Sequence, residues 1–225
     1  MKALILAAGL GTRMRPLTDH CPKPLLAVGD HKLIEYHLYR LAAIGVTEVI
    51  INTAYLAEQI EDYLADGERY GLTIHYSQEG MPLETGGAIR HALPLLGDQP
   101  FLLINGDVYC EYPLTSLLDQ DPEFAHLLLV PNPEFKQQGD FGCVDGLLTN
   151  QADELYTYAG IGVYQPSFFQ QYQTQSSFPL APIIRQQADA KRVTAELYNG
   201  VWMDIGTPQR LETLSQYLAQ KGFNI

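Results

Sequence analysis

Near the start of the chain, six apolar residues, Ala3-Leu4-Ile5-Leu6-Ala7-Ala8, run directly into Gly9-Leu10-Gly11-Thr12-Arg13. A short apolar run without polar alternation reads as a strand covered on both faces, here Lys2–Ala7. Gly9 and Gly11 let the backbone turn sharply at its carboxyl end, approach a ligand closely and point several N–H groups at one anion. A tight turn with solvated arginines is the ordinary alternative. Two familiar phosphate loops do not fit. A dinucleotide-binding loop needs a third glycine where Met14 stands, and an acid after a second strand that instead reads Val49-Ile50-Ile51-Asn52-Thr53. The Gly-Lys-Ser/Thr of a P-loop is absent.

The rest of the first half alternates. Helical periodicity covers His31–Ile44, Leu56–Leu64 and Thr85–Leu96, and β-rich runs cover Glu48–Thr53, Leu72–Ser77 and Phe101–Asn105. Strands separated by helices predict right-handed βαβ units and a mostly parallel sheet. In the second half, Ala125–Val130, Leu155–Tyr164, Val193–Tyr198 and Val201–Ile205 read as strands, and Thr207–Gln220 as a closing helix capped by Thr207 with Pro208 at its first position. No repeat, low-complexity tract or linker divides the chain. One domain over residues 1–225 is expected, about 1–110 binding nucleotide and about 111–225 closing a pocket over the sheet.

Charge narrows the partners. The chain carries −12 overall. Residues 1–30 nevertheless hold Lys2, Arg13, Arg15 and Lys23 against only Asp19 and Asp30. A small basic site on an acidic body suits a small anionic ligand and disfavours nucleic acid. Cys21, Cys110 and Cys143 form no C-x-x-C pair and are odd in number, so a reducing cytoplasm is the expected setting. The six histidines show no zinc spacing. No stretch approaches the roughly 20 apolar residues of a membrane helix.

Gly9-x-Gly11-Thr12-Arg13-x-x-Pro16-Leu17-Thr18, followed by Lys23-Pro24-Leu25, resembles the signature of the sugar-1-phosphate nucleotidyltransferases. Ala8 stands where most members have a glycine. Asn105-Gly106-Asp107 and Trp202-x-Asp204-Ile205-Gly206-Thr207-Pro208 match two further family elements, so the resemblance spans almost the whole chain. It implies a Rossmann-like three-layer α/β/α fold with a mixed, mainly parallel central sheet. It also implies a nucleoside triphosphate held by Ala8, Gly9, Gly11, Thr12, Arg13 and Lys23, with Arg13, Lys23 and Asp107 in catalytic roles. Asp107 and Asp204, both at strand ends, would be the ligands of Mg²⁺, which favours one or two carboxylates plus phosphate oxygens. The ordinary alternatives are a good Asn-Gly-Asp turn and a helix-capping Asp204.

In similar enzymes the segment after the third strand holds the base. Gln78 offers a donor and an acceptor that suit uracil or thymine, and Glu84 and Thr85 complete the base or ribose contacts. An exposed strand end is the plain reading of Gln78. For the acceptor sugar, Asn105, Asp140, Glu154 and Gly160 are the candidates, although Asp140 in Gly139-Asp140-Phe141-Gly142 equally shapes a turn and Gly160 equally lets strands pack. Within the family, Pro82-Leu83-Glu84-Thr85-Gly86-Gly87 and Tyr158-Ala159-Gly160-Ile161-Gly162 resemble most the branch that joins UTP to N-acetylmuramate 1-phosphate in peptidoglycan sugar recycling. Alternatives are another sugar 1-phosphate (glucose, N-acetylglucosamine or mannose), phosphocholine, and a non-catalytic nucleotide-sensing relative.

Overall fold

The computed structural model describes residues 1–174 and 176–221. The expected span 1–225 therefore includes Gln175 and residues 222–225, which lie outside the described residues. Along the chain run β1 (Lys2–Leu6), a hairpin of β2 (Ala27–Val28) and β3 (His31–Lys32), α1 (Leu33–Ala43), β4 (Glu48–Thr53), α2 (Ala57–Leu64), β5 (Thr73–Gln78), α3 (Glu84–Leu96) and β6 (Phe101–Asn105). Then come β7 (Val108–Cys110), β8 (Ala125–Val130), β9 (Gly142–Val144), β10 (Leu147–Thr149), β11 (Thr157–Tyr164), α4 (Ala181–Asp189), β12 (Val193–Leu197), β13 (Trp202–Asp204) and α5 (Pro208–Lys221).

The main sheet has the order β5-β4-β1-β6-β11-β8-β12-β10-β9. Following the pairings across it, β5, β4, β1, β6, β8, β12 and β9 run one way and β11 and β10 the other. The sheet is thus mixed and mainly parallel in direction. Alternate residues of its central strands feed two separate cores. Ala3, Ile5, Leu102 and Ile104 pack with α1 and α2 through Ile34, Leu38, Leu41, Ile60 and Leu64. Leu4, Phe101 and Leu103 pack on the other face with α3 and α4 through Ile89, Leu93, Leu96, Ile183 and Ile184. That is why β1 and β6 are apolar without alternation: both faces are covered, and each fully buried Leu or Ile contributes about 1.5–3 kcal/mol. A third cluster seats α5 against Met14, Leu26, Val28, Tyr109 and Ile205. Among the described residues, no helix is long and apolar enough to cross a membrane.

Three departures from the sequence reading have local causes. The periodic run His31–Ile44 becomes helical only at Leu33, because His31 and Lys32 pair with Val28 and Ala27 across a Gly29-Asp30 turn. The Glu35 carboxylate then accepts a hydrogen bond from the Lys32 N–H at 2.6 Å, capping the helix start. Helix α4 hides in a proline- and glutamine-rich stretch, since Pro182 is tolerated in a first turn and the buried side is short. Strand β7 follows a turn closely and shows its nature only through its partner β13.

Candidate active site

At the carboxyl ends of β1, β4, β5 and β6 the chain opens a cavity of about 280 Å³. This is the edge of an open α/β sheet where ligands bind. Its floor is a chain of buried polar groups. The Ala7 N–H donates to Asn52 Oδ1 at 2.6 Å, Asn52 Nδ2 donates to Glu79 Oε1 at 2.7 Å, and the Leu83 N–H donates to Glu79 Oε2 at 2.9 Å. Asn52 is 3% exposed and Glu79 6%. Each oxygen of Glu79 keeps acceptor capacity beyond its one bond. This network ties the glycine loop after β1 to the segment that starts α3. There Glu84 takes a left-handed φ of +59°, rare for a non-glycine residue, and lines the cavity with Thr85. Gly9 also lines it, and a Cβ added there would meet no atom within 4 Å. Packing does not demand a glycine at position 9, so the open space lies over bare backbone.

The carboxylates stand on a two-stranded ribbon. The Gly106 N–H donates to the Leu6 carbonyl at 2.9 Å, and any Cβ at 106 would sit 2.6 Å from that oxygen, so the turn after β6 needs glycine. Asp204 pairs in register with Val108, and the Ile205 N–H donates to the Asp107 carbonyl at 2.8 Å, which puts the backbones of the two aspartates across the ribbon from each other, one register position apart. Helix α1 supports the ribbon from below. Arg40 donates to the carbonyls of Cys110 and Tyr112. One turn earlier, His37 lies against the backbone of Gly106 and Val108. Burial, reinforced by the Arg40 charge and opposed by Asp107, lowers its imidazole pKa from 6.5 to about 4. Above the ribbon, Lys23 Nζ meets Asp107 Oδ2 at 2.6 Å, and Asp204 Oδ2 meets Arg210 at 3.0 Å. Asp204 Oδ1 is buried and has no protein partner among the described residues. A buried carboxylate oxygen left without a hydrogen bond suits a cation.

Residues 2–221 match the nucleotidyl transferase family. The chain belongs to that family. It is 46% identical to the N-acetylmuramate alpha-1-phosphate uridylyltransferase of Neisseria meningitidis serogroup B, across 94% of this chain and 96% of the relative. It is 36% identical to the protein of the same name from Caulobacter vibrioides, across 92% of each. Among solved structures, a Bacillus anthracis protein crystallised with sucrose, described as a candidate glucose-1-phosphate thymidylyltransferase, superposes with a TM-score of 0.86. At 21% identity, covering 100% of this chain and 97% of that one, it shows the fold.

In this nucleotidyl transferase, Ala8, Gly9, Lys23, Glu84, Thr85, Asn105 and Asp107 line the cavity together. Gly11, Thr12 and Arg13 follow on the loop outside it. The Arg13 guanidinium lies beside Gly206, its Cζ 3.3 Å from where a Cβ of that glycine would be. Gly160, in a bulge of β11, has φ +74°, and a Cβ there would sit 2.5 Å from Asn105 Nδ2. Its backbone therefore seats the Asn105 side chain. Three candidates stand apart from the cavity. Gln78 Nε2 donates to the Glu61 carboxylate at 2.7 and 2.8 Å on an exposed face. Asp140 Oδ2 accepts the Tyr158 N–H at 2.9 Å and pairs with Lys136. Glu154 accepts the Tyr156 hydroxyl at 2.7 Å. Asn52, Glu79, His37 and Arg40 were not legible as site residues. Asn52 lies one residue before the end of the predicted strand Glu48–Thr53 and Glu79 two residues beyond Leu72–Ser77, and that nearness to strand ends is their one signal.

Proposed function

We propose that this chain transfers a uridylyl group from UTP to N-acetylmuramate 1-phosphate, releasing pyrophosphate. The two relatives that carry this activity in their names support the acceptor. The observation that carries the chemistry is the meeting, in one cavity, of open backbone at Gly9, the Lys23–Asp107 pair and the acceptor carboxylate of Glu79. An oxygen of the sugar phosphate attacks the α-phosphorus of UTP in line. One P–O bond forms, the bond to the β-phosphate oxygen breaks, and no proton must move. Such a transfer needs positioning and charge stabilisation rather than a protein nucleophile.

Backbone N–H groups of Ala8, Gly9, Gly11 and Thr12 hold the phosphates. Arg13 steadies the leaving pyrophosphate. Lys23 exchanges its bond to Asp107 for the α-phosphate and the incoming sugar phosphate, offsetting their mutual repulsion. Asp107 and Asp204 would hold Mg²⁺, which when bound neutralises phosphate charge and draws electrons from phosphorus. Glu79 replaces Gln78 as base reader in this reading. A buried carboxylate accepts the imino N–H of uracil and repels the unprotonated ring nitrogen of cytosine. Asn105, seated by Gly160, faces the sugar, while Asp140 and Glu154 shape the strands behind it. Residues up to about 110 bind the nucleotide and those from about 111 the acceptor, in the cytoplasm where UTP is made, within peptidoglycan sugar recycling.

The test is Mg²⁺-dependent pyrophosphate release with UTP, GTP, CTP, ATP and dTTP, each paired with N-acetylmuramate, N-acetylglucosamine, glucose and mannose 1-phosphates. The expected result is preference for UTP with the first sugar. Preference for another pair overturns the substrate assignment. No turnover by folded protein that still binds UTP would point to a sensing role.

A further inference from the structure

Arg210 lies outside the motifs that carry the family resemblance. Its backbone is set by the start of α5, where its N–H meets Thr207 Oγ1 at 3.4 Å, in the third helical position after the cap. Its guanidinium does two things at once. Its Nη1 forms an ion pair with Asp204 Oδ2 at 3.0 Å without the alignment of a hydrogen bond, and its Cζ stands 4.0 Å over the ring centroid of Phe135. Phe135 is 56% exposed and comes from residues 131–141, the connection between β8 and β9. The foot of that connection is fixed by Asn132, which donates to the Leu155 carbonyl at 2.7 Å and accepts from Thr157 Oγ1 at 2.9 Å. Its tip crosses to α5 and meets Arg210. The guanidinium over the face of this exposed ring is a cation–π contact that ties the connection to α5.

We propose that Arg210, seated on Phe135, is a positioning residue that draws Asp204 Oδ2 toward its charge and leaves the buried, unbonded Oδ1 as the oxygen offered to a cation. The inference rests on the reading of Asp204 as a metal ligand. A carboxylate whose Oδ2 is drawn to a guanidinium favours one-oxygen binding of a cation over clasping it with both. The guanidinium also offsets the carboxylate charge, so the site holds a bare dication weakly and takes it well only with the triphosphate's own oxygens. The planar fork of arginine suits both contacts, whereas a point-charge lysine could not lie flat on the ring.

The experiment measures Mn²⁺ binding by electron paramagnetic resonance on the full chain without nucleotide, alongside kcat and KM. Arg210→Gln is expected to bind Mn²⁺ at least about threefold more tightly, because the offsetting charge is gone. The same variant is expected to turn over at least about tenfold more slowly, because the carboxylate is no longer aimed. Tighter metal with slower turnover is a pairing that a loosened fold does not produce. Unchanged or weaker Mn²⁺ binding, or a kcat within about twofold of the unaltered protein, overturns the proposal. Phe135→Leu keeps apolar bulk and removes the ring, so it tests the seat even where Arg210→Gln fails to fold. The expectation is a kcat about threefold lower with KM for the triphosphate and the thermal midpoint unchanged. An unaltered kcat overturns the role of Phe135. No Mn²⁺ binding by the unaltered protein, with or without UTP, overturns the metal reading and the positioning role together, whereas turnover of a different sugar phosphate leaves both standing.

Discussion

The cavity, lined by residues from Leu6 to Asp107, presents polar groups with bonding capacity left over, whereas the carboxylates nominated from residues 131–160 lie outside it and hold strands together. Glu79 accepts one bond per oxygen and Gly9 is covered by nothing. Asp140 and Glu154, by contrast, are tied to Tyr158, Lys136 and Tyr156. A carboxylate at a turn is thus not a cavity group by residue type alone. Glu79 lines the cavity and Asp140 and Glu154 do not, because the fold turns one into the pocket and the others toward neighbouring strands.

Five measurements test that contrast. The largest effect is expected from Asp107→Ala, which should lower kcat by at least about a thousandfold while the protein still folds. Substantial turnover by the folded variant would remove Asp107 from the chemistry. Glu79→Gln should lower kcat/KM for UTP about ten- to hundredfold and that for CTP much less, because the amide can no longer accept from Asn52, Leu83 and the base together. An unchanged UTP-to-CTP ratio would return base reading to another residue. Gly160→Ala, strained by its φ of +74° and crowding Asn105, should raise KM for the sugar phosphate about tenfold, with UTP affinity within about twofold. An unaffected KM would separate Asn105 from the acceptor.

The fourth is a pH effect. His37 is neutral when folded down to a pKa of about 4, against 6.5 when unfolded. Its contribution is fully present above pH 6.5 and is lost as pH falls from 6.5 through about 4, because the unfolded chain binds the proton first. The loss is on the order of 3 kcal/mol, read as a falling denaturation midpoint between pH 7 and pH 4 that His37→Phe should flatten. A slope identical in that variant would assign the pH dependence elsewhere. The smallest effect is expected on the acceptor side. Glu154→Gln should change kcat/KM less than about threefold, since an exposed bond to Tyr156 is worth little. A large loss would move Glu154 into the site and erase the contrast between the two sides.

The motif-bearing residues were legible because their chemistry is local. Gly9, Gly11, Arg13 and Lys23 sit within one loop, and Asn105-Gly106-Asp107 within one turn, so spacing alone brought them near one another. The apolar strands were legible for a similar reason: burial on both faces leaves no alternation. Asp204 needed the match to a family element, because only the β7–β13 register brings it beside Asp107.

Gln78 shows where local reading stops. Adjacent residues at a strand end point to opposite faces, so a difference of one position decides between the cavity and the solvent. Residue type favoured Gln78, whose amide suits a base. The pleat instead put Glu79 inward and Gln78 against Glu61. From the sequence came the alternation of strands and helices, the glycine loop as a candidate anion site and the two candidate metal ligands Asp107 and Asp204, because these are set by contiguous residues, by apolar period and by motif. Only the tertiary structure decided that Asn52 bridges Ala7 to Glu79, that His37 and Arg40 brace the ribbon, and that Phe135 reaches Arg210. Each of those contacts joins residues distant in the chain, and hydrogen bonds and ring contacts depend on distances that only packing sets.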